Sequence, residues 1–365
     1  MPNGGIVVIG GGFAGAATAY WLRRFGAGEV TILEREDLPG SHASGRNAGI
    51  ARQAILDGST TLLAARGTAF LRNPPPGFAG SPLLQPTGGF LLGSEAEDRR
   101  LALLRRNALA AGVYTYPAPR GEVVERIPFL DGAPFLSALA CPLDGLVDIH
   151  MLLTSYLQGV AVKTGAEVTA FERRGRRIRA VCAGGERFPA AAVVNAAGPW
   201  ASAVATLAGA SPLRLQPRRR HLLHTGPLPG LAPELPYAWC LEPEVYFRRE
   251  SGGLLLSPCD EEPHPPEAPA AHPDAPLWLA ERLKAAAPRM ADFPVGRVWA
   301  GLRTFSPDGR FVIGRDGVLE NFFWVAGLGG HGMTTSAAVG EMAAALVLGK
   351  TPPLDPSPYD PSRFG

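Results

Sequence analysis

Three glycines and one acid carry the clearest chemistry in this sequence. Gly10, Gly12 and Gly15 fall in GGGFAG, directly after the apolar run Ile6–Ile9, and Glu34 closes a second β-branched run, Val30–Leu33. Gly10 permits a tight turn, Gly12 lets the backbone approach a pyrophosphate, and Gly15 lets a helix pack against a strand. A helix opening at this turn brings unpaired N–H groups and the positive end of its dipole to the phosphates. Glu34 lies 19 residues beyond Gly15, near the spacing at which a carboxylate accepts hydrogen bonds from ribose hydroxyls. Strand, glycine turn, helix, strand and acid occur together, so the expected ligand is a dinucleotide.

Two further stretches have the same character. The run AAVVNAAGPW ends a buried-looking strand in small residues at Asn195–Gly198, where backbone can come close to a cofactor. Near the C-terminus the strand Phe322–Ala326 leads into Gly327–Gly332 and a small-residue helix expected over Met333–Leu348. That second glycine turn is another helix end able to bind an anion or a carbonyl.

The composition sets the bounds. At 365 residues the chain can form two domains, or one with another inserted. A hydrophobic content of 46% supports a sizeable core, and 19% charged residues argue against general disorder. A formal net charge of +2 suggests no nucleic-acid partner. Cys141, Cys182, Cys240 and Cys259 are far apart with no CxxC pair, a pattern of reduced thiols rather than a disulfide framework or a metal site. Gly4–Leu22 is uncharged but lacks a basic leader and is broken by the glycine turn. The expectation is a cytoplasmic protein with no transmembrane segment.

The elements between these landmarks read in order. A helix is expected near Thr60–Leu71, ended by Pro74–Pro76. A strand follows at Gly88–Leu92, then a helix over Glu95–Ala111 and another from Asp148 to Lys163 that feeds a strand at Ala166–Phe171. Gly175–Val181 and Glu186–Val194 alternate as a hairpin. Residues 211–299 are proline-rich, with strands at Arg220–His224, Val245–Arg248 and Gly253–Ser257 and an irregular surface excursion over Cys259–Pro276.

With both ends in view, the sequence resembles the FAD-dependent D-amino-acid oxidase superfamily, the group that includes glycine oxidase, sarcosine oxidase and the amino-acid dehydrogenases. Its likeness to the bacterial D-arginine dehydrogenases is the strongest of these. The matching stretches are GGGFAG with YWL and LERE, LPGSHASGRNA, NPPPGF, VVNAAGPW, LQPRRR, WAGLRTF, NFFWVAGLGGHG and TSAAVGE. They occur in the same order and cover most of the chain.

The resemblance implies an α/β fold: a Rossmann-like FAD-binding domain of the glutathione-reductase type, interleaved with a substrate domain on a mixed β-sheet. The FAD-binding domain would be assembled from 1–75, 145–212 and 300–350, the substrate domain from 76–144 and 213–299, and 351–365 would be a tail. Gly10, Gly12, Ala14, Gly15, Glu34 and Arg35 would hold the ADP half of FAD. Ser41, Ser44, Gly45, Arg46 and Asn47 would run along the pyrophosphate and flavin, with Val168 at the adenine. Ala197, Gly198 and Gly301 would line the same trough. Gly329, Gly330, His331, Gly332, Met333 and Thr334 would sit at the pyrimidine edge of the flavin.

The implied reaction is oxidation of an amino acid at its Cα–N bond by hydride transfer to flavin N5, then hydrolysis of the imino acid. Arg303 matches a carboxylate-binding arginine, which also touches the flavin. Arg220 matches a second arginine near the substrate, and Tyr246 a tyrosine that closes over it. Arg52 matches the sarcosine oxidase pattern, in which an arginine binds the carboxylate, although a salt bridge to Asp57 or a phosphate is an equal reading of it. His331 is either a proton carrier or a turn residue with a structural bond. Arg220, within a run of three arginines, reads equally as a solvated surface residue, and Tyr246 as an ordinary half-buried strand aromatic.

The departures bear on the substrate. Gly89 stands where the D-arginine dehydrogenase has a glutamate that reads the arginine side chain, and Ile50 and Ile55 replace its loop His and Tyr. A smaller or apolar substrate is expected, with Tyr237 and Trp239 as pocket walls. RTFSPDG lacks the cysteine that attaches flavin in sarcosine oxidase, so FAD is expected to be non-covalent. The motifs do not specify the electron acceptor (quinone, dye or oxygen), nor peripheral association with a membrane or other subunits. A 2-hydroxy-acid dehydrogenase and a flavin subunit of a multi-subunit sarcosine or proline dehydrogenase remain as alternative readings.

Overall fold

The computed structural model describes residues 4–365. The N-terminal landmark forms as expected: strand β1 (Gly5–Ile9), helix α1 (Phe13–Arg24) and strand β2 (Val30–Leu33), with β1 and β2 parallel. The Gly10 N–H donates to the Leu33 carbonyl across the turn at 2.9 Å. The other neighbour of β1 is the strand Glu186–Asn195, again parallel, and Phe322–Ala326 continues the sheet beyond it. This puts GGGFAG, AAGPW and the C-terminal glycine turn at the same carboxyl edge of one parallel sheet, the edge at which open α/β folds bind ligands. The hairpin Val168–Arg174 and Arg177–Ala183 extends the sheet to eight strands.

A second sheet of nine strands is mixed, with Tyr237–Leu241 parallel to Gly89–Gly93 among otherwise antiparallel pairs. Strand Arg297–Phe305 runs along the whole of Gln216–His224, so Gly301 and Arg303 belong to this second sheet. Strand alternation sorts its side chains. Leu223, Phe247, Leu254 and Leu256 enter one buried core. Leu222, Tyr246 and Leu255 enter another on the opposite face.

Several boundaries differ from the sequence expectations. The helix after Asp148 stops at Leu157, because Gly159 takes a positive φ of 67°. Residues 161–163 then form a strand that pairs with β2. The segment before Ala111 begins as a 3-10 turn at Glu95–Glu97 and becomes α-helical at Asp98–Ala110. The last large helix is Ser336–Val347, preceded by turns rather than starting at Met333. Helix Ala275–Ala286 has no counterpart in the sequence reading, although Pro276 in its first turn is a start signal. All four cysteines are free thiols, and among the described residues no helix is long and apolar enough to cross a membrane.

Candidate active site

One cavity of 420 Å³ runs along the carboxyl edge of the first sheet and ends against the second, within the size range of small-molecule sites. Gly10, Gly12, Ala14, Glu34, Arg35, Ser41, Ser44, Arg46, Asn47, Val168, Ala197, Gly198, Gly301, Gly329, Gly330, Gly332 and Met333 all line it. Gly15 lies beneath: a β-carbon there would meet the Gly10 carbonyl oxygen at 1.9 Å, so only glycine lets α1 close onto the turn. Gly45 and Thr334 are supports rather than walls. Gly45 donates its N–H to the Gly40 carbonyl, and the buried Thr334 hydroxyl donates to the Ile50 carbonyl.

The nucleotide end is preorganised by short hydrogen bonds. Glu34 is nearly buried and accepts from the Gly11 N–H at 2.7 Å and the Glu36 N–H at 2.9 Å, which fixes its carboxylate at the cavity wall. Ser44 Oγ accepts from the Phe13 N–H at 2.9 Å, at the start of α1. Arg46 donates to the Ala300 carbonyl and so ties the SGRNA loop to the second sheet. The guanidinium of Arg35 lies 3.8 Å over the ring of Trp200, whose other neighbour is His42. Trp200 and His42 line the cavity and were not assigned from the sequence, although AAGPW and GSH flagged their positions.

The other end is built from the second sheet. Arg220 and Gly301 face each other across paired strands, and Arg303 lies two residues further along. Arg303 and Arg220 both border the cavity. Burial and the neighbouring Arg220 push the Arg303 guanidinium below its ordinary pKa, a cost that a bound anion would offset. Tyr246 is fully buried, its hydroxyl beside the Arg303 guanidinium and without a well-formed hydrogen bond. Its ring lies 4.3 Å from that of Trp239 on the adjacent strand, and Arg52 lies 4.0 Å over Trp239. The Arg52 Nε is likewise buried without a partner.

His331 belongs to this cluster. Burial, then Arg52, Arg303 and Arg220, lower its pKa to about 3, so the imidazole is neutral at physiological pH. Its backbone closes the glycine turn, receiving the Thr335 N–H and donating to the Leu328 carbonyl. Among the described residues the ring finds no hydrogen-bond partner, so the expected structural bond is not formed. As a proton acceptor it is weak.

Three further expectations are corrected. Arg220 is not solvated: it is 5% exposed and donates to the Asp260 carbonyl and the Glu261 carboxylate. Arg52 does not pair with Asp57, which caps the helix Gly58–Arg72 and takes Arg310 instead. Like Trp239, Tyr237 does not line the cavity. It packs against Gly89, where a β-carbon would lie 2.0 Å from its ring, and donates to buried Asp144 at 2.6 Å. Asp144 also accepts from the Gln53 backbone and side chain, and so anchors the loop that carries Arg52. Sequence alone gave Asp144 no signal.

The trough suits a dinucleotide with an extended middle: glycine backbone at the pyrophosphate turn, a fixed acid at one end, a helix-opening glycine turn at the other. None of the four cysteines lines it. Among curated proteins, 4-methylaminobutanoate oxidase (formaldehyde-forming) of Paenarthrobacter nicotinovorans is 26% identical over 98% of this chain and 45% of its own length. Mitochondrial dimethylglycine dehydrogenase of Rattus norvegicus is 28% identical over 98% of this chain and 44% of its own. The chain thus spans less than half of either relative. L-proline dehydrogenase from P. horikoshii superposes with a TM-score of 0.88 at 25% identity, covering 99% of this chain and 97% of that one. The pattern of the DAO family, described as FAD dependent oxidoreductase, matches residues 5–346. The chain belongs to that family, and FAD is the dinucleotide its trough accommodates.

Proposed function

We propose that this protein oxidises the Cα–N bond of a small amino or imino acid. The observation that carries the reading is Arg303 on the wall of the trough with the buried Tyr246 hydroxyl beside it, lacking a well-formed hydrogen bond. Buried polar groups are rarely left unpaired, and a guanidinium fork with an adjacent hydroxyl matches a carboxylate. Bound there, a substrate carboxylate is held in fixed orientation and its Cα–H is aimed along the trough. FAD, when bound, supplies the acceptor for the hydride leaving Cα, and water hydrolyses the resulting imino acid to a 2-oxo acid and ammonia or an amine.

The protein's contribution to reactivity is electrostatic. Arg52, Arg220 and Arg303 surround the site, and positive charge disfavours a bound ammonium relative to the free amine whose lone pair drives the reaction. The same three cations act on His331. An alcohol substrate would need a general base instead, and a histidine with a pKa of about 3 is poorly matched to that task. The relatives named above for methylaminobutanoate and dimethylglycine support an amine donor.

The test is anaerobic bleaching of the bound flavin by D-, L- and N-methyl amino acids and by 2-hydroxyglutarate. Bleaching by an amine class supports the reading and names the chirality. Bleaching by the hydroxy acid alone overturns it. Reoxidation in air then separates oxidase from dehydrogenase.

A further inference from the structure

Two guanidiniums at the substrate end have no acid opposite them. Among the described residues the nearby acids are already engaged: Glu261 with Arg220 and Arg218, Glu244 with the Trp239 indole, Asp57 with Arg310, and Asp144 with Tyr237 and Gln53. Arg303 and Arg52 enter none of these pairs. Both are partly buried without an ion pair, Arg52 feeling only the charge of Asp144 from beyond ion-pair distance, so a bound anion would be favoured there.

The two do not serve one anion in the same way. Arg303 borders the FAD trough, whereas Arg52 does not line it, so Arg52 is not placed for the cofactor phosphates. Between them stands the aromatic pair, with Tyr246 beside Arg303 and Trp239 beneath Arg52. The Arg52 loop is held from behind by the bonds from Gln53 to Asp144. Each guanidinium therefore has its own rigid support and its own unsatisfied buried polar atom close by, Tyr246 Oη in one case and Arg52 Nε in the other.

We infer that the substrate is an amino or imino dicarboxylic acid, with its α-carboxylate on Arg303 and Tyr246 and its second carboxylate on Arg52. This rests on the amine-oxidation reading above. It keeps the expectation of a small substrate and replaces the apolar side chain with an anionic one. The second carboxylate sits either on the side chain, as in aspartate or glutamate, or on the nitrogen substituent, as in iminodiacetate. Both present the same pair of anions flanking an amine.

The test compares each acid with its isosteric amide on the FAD-loaded protein: D- and L-aspartate with asparagine, D- and L-glutamate with glutamine, iminodiacetate with its monoamide. Flavin reduction under anaerobic conditions should favour one acid over its amide by about 100-fold in rate over dissociation constant, the scale of a desolvated charge pair. Arg52→Met should bring that ratio close to one, and Arg52→Lys should restore part of it. Calorimetry with succinate and succinamate gives a readout without turnover, and succinate should bind more tightly by a similar factor in the wild type.

Amides that match their acids in both measurements overturn the inference and leave amine oxidation standing. A preference for acids that survives Arg52→Met overturns it as well. Tight succinate binding with no amine able to bleach the flavin supports the two-anion site and ends the amine-oxidation reading.

Discussion

Gly330 stands so close to Arg303 that a β-carbon on it would lie 2.4 Å from Nε and 2.7 Å from Cδ of the arginine. Its φ of 88° is also one that side chains rarely adopt. The C-terminal glycine turn therefore acts as a wall that fixes the Arg303 side chain from the first sheet, while its backbone belongs to the second. Gly330→Ala is expected to push the guanidinium aside and lower amino-acid-dependent flavin reduction by about 100-fold, as a displacement near 1 Å does at a positioned group. Anaerobic stopped-flow checks this. Retention of FAD in the purified variant would place the effect on substrate rather than on cofactor binding.

Glu34 makes a separate prediction at the other end of the trough. Its two carboxylate oxygens are fixed by the Gly11 and Glu36 N–H groups, which leaves lone pairs for ribose hydroxyls. Glu34→Gln removes the charge and turns one acceptor into a donor facing an N–H. Charge-assisted bonds of this kind contribute about 1.5–3 kcal/mol each, so FAD affinity is expected to fall by at least 10-fold. Fluorescence of released FAD on dilution measures it directly. An unchanged dissociation constant would remove Glu34 from the cofactor site.

The parts of this molecule that were legible in the sequence are local ones. GGGFAG, AAGPW and GLGGHG each follow a short apolar strand, so their type and position could be read from residues alone. All three then meet because parallel pairing puts strand ends on one edge. What the sequence could not show is which partner each polar group finds. Arg220 looked solvated within RRR, yet Asp260 and Glu261, some 40 residues away, bury it. Tyr237 read as a pocket wall because nothing local reveals that Gly89 leaves room for its ring. Asp144 sits in an unremarkable loop, and only the fold brings Gln53 and Tyr237 to it.

Asp144 is fully buried, and desolvation raises its carboxyl pKa from 3.8 to about 6 despite three hydrogen bonds and the field of Arg52. A carboxyl with a raised folded-state pKa is stabilising when protonated. Its contribution is present below about pH 4 and is lost as pH rises through about 6, a swing of about 3 kcal/mol for a shift of this size. Asp144→Asn keeps the shape without the charge, so its stability relative to wild type should increase between pH 4 and 7 and then level off. Urea unfolding at a series of pH values checks the sign. A difference that is flat with pH would mean that Asp144 does not carry the raised pKa.

The last prediction concerns the proton on the substrate. If Arg52, Arg220 and Arg303 favour the free amine, the acid limb of flavin reduction reports the substrate ammonium, with a pKa below that of the same amine in water. Removing one cation then moves the limb up, and Arg52→Met is expected to raise it by about one unit for a given substrate. His331, already neutral across this range because of burial and then the same cations, is not the group that titrates. His331→Gln should therefore leave the position of the limb unchanged, whatever it does to the rate. A limb that disappears in His331→Gln would make the histidine the proton acceptor, and would mean that the three arginines act on it far less than their placement implies.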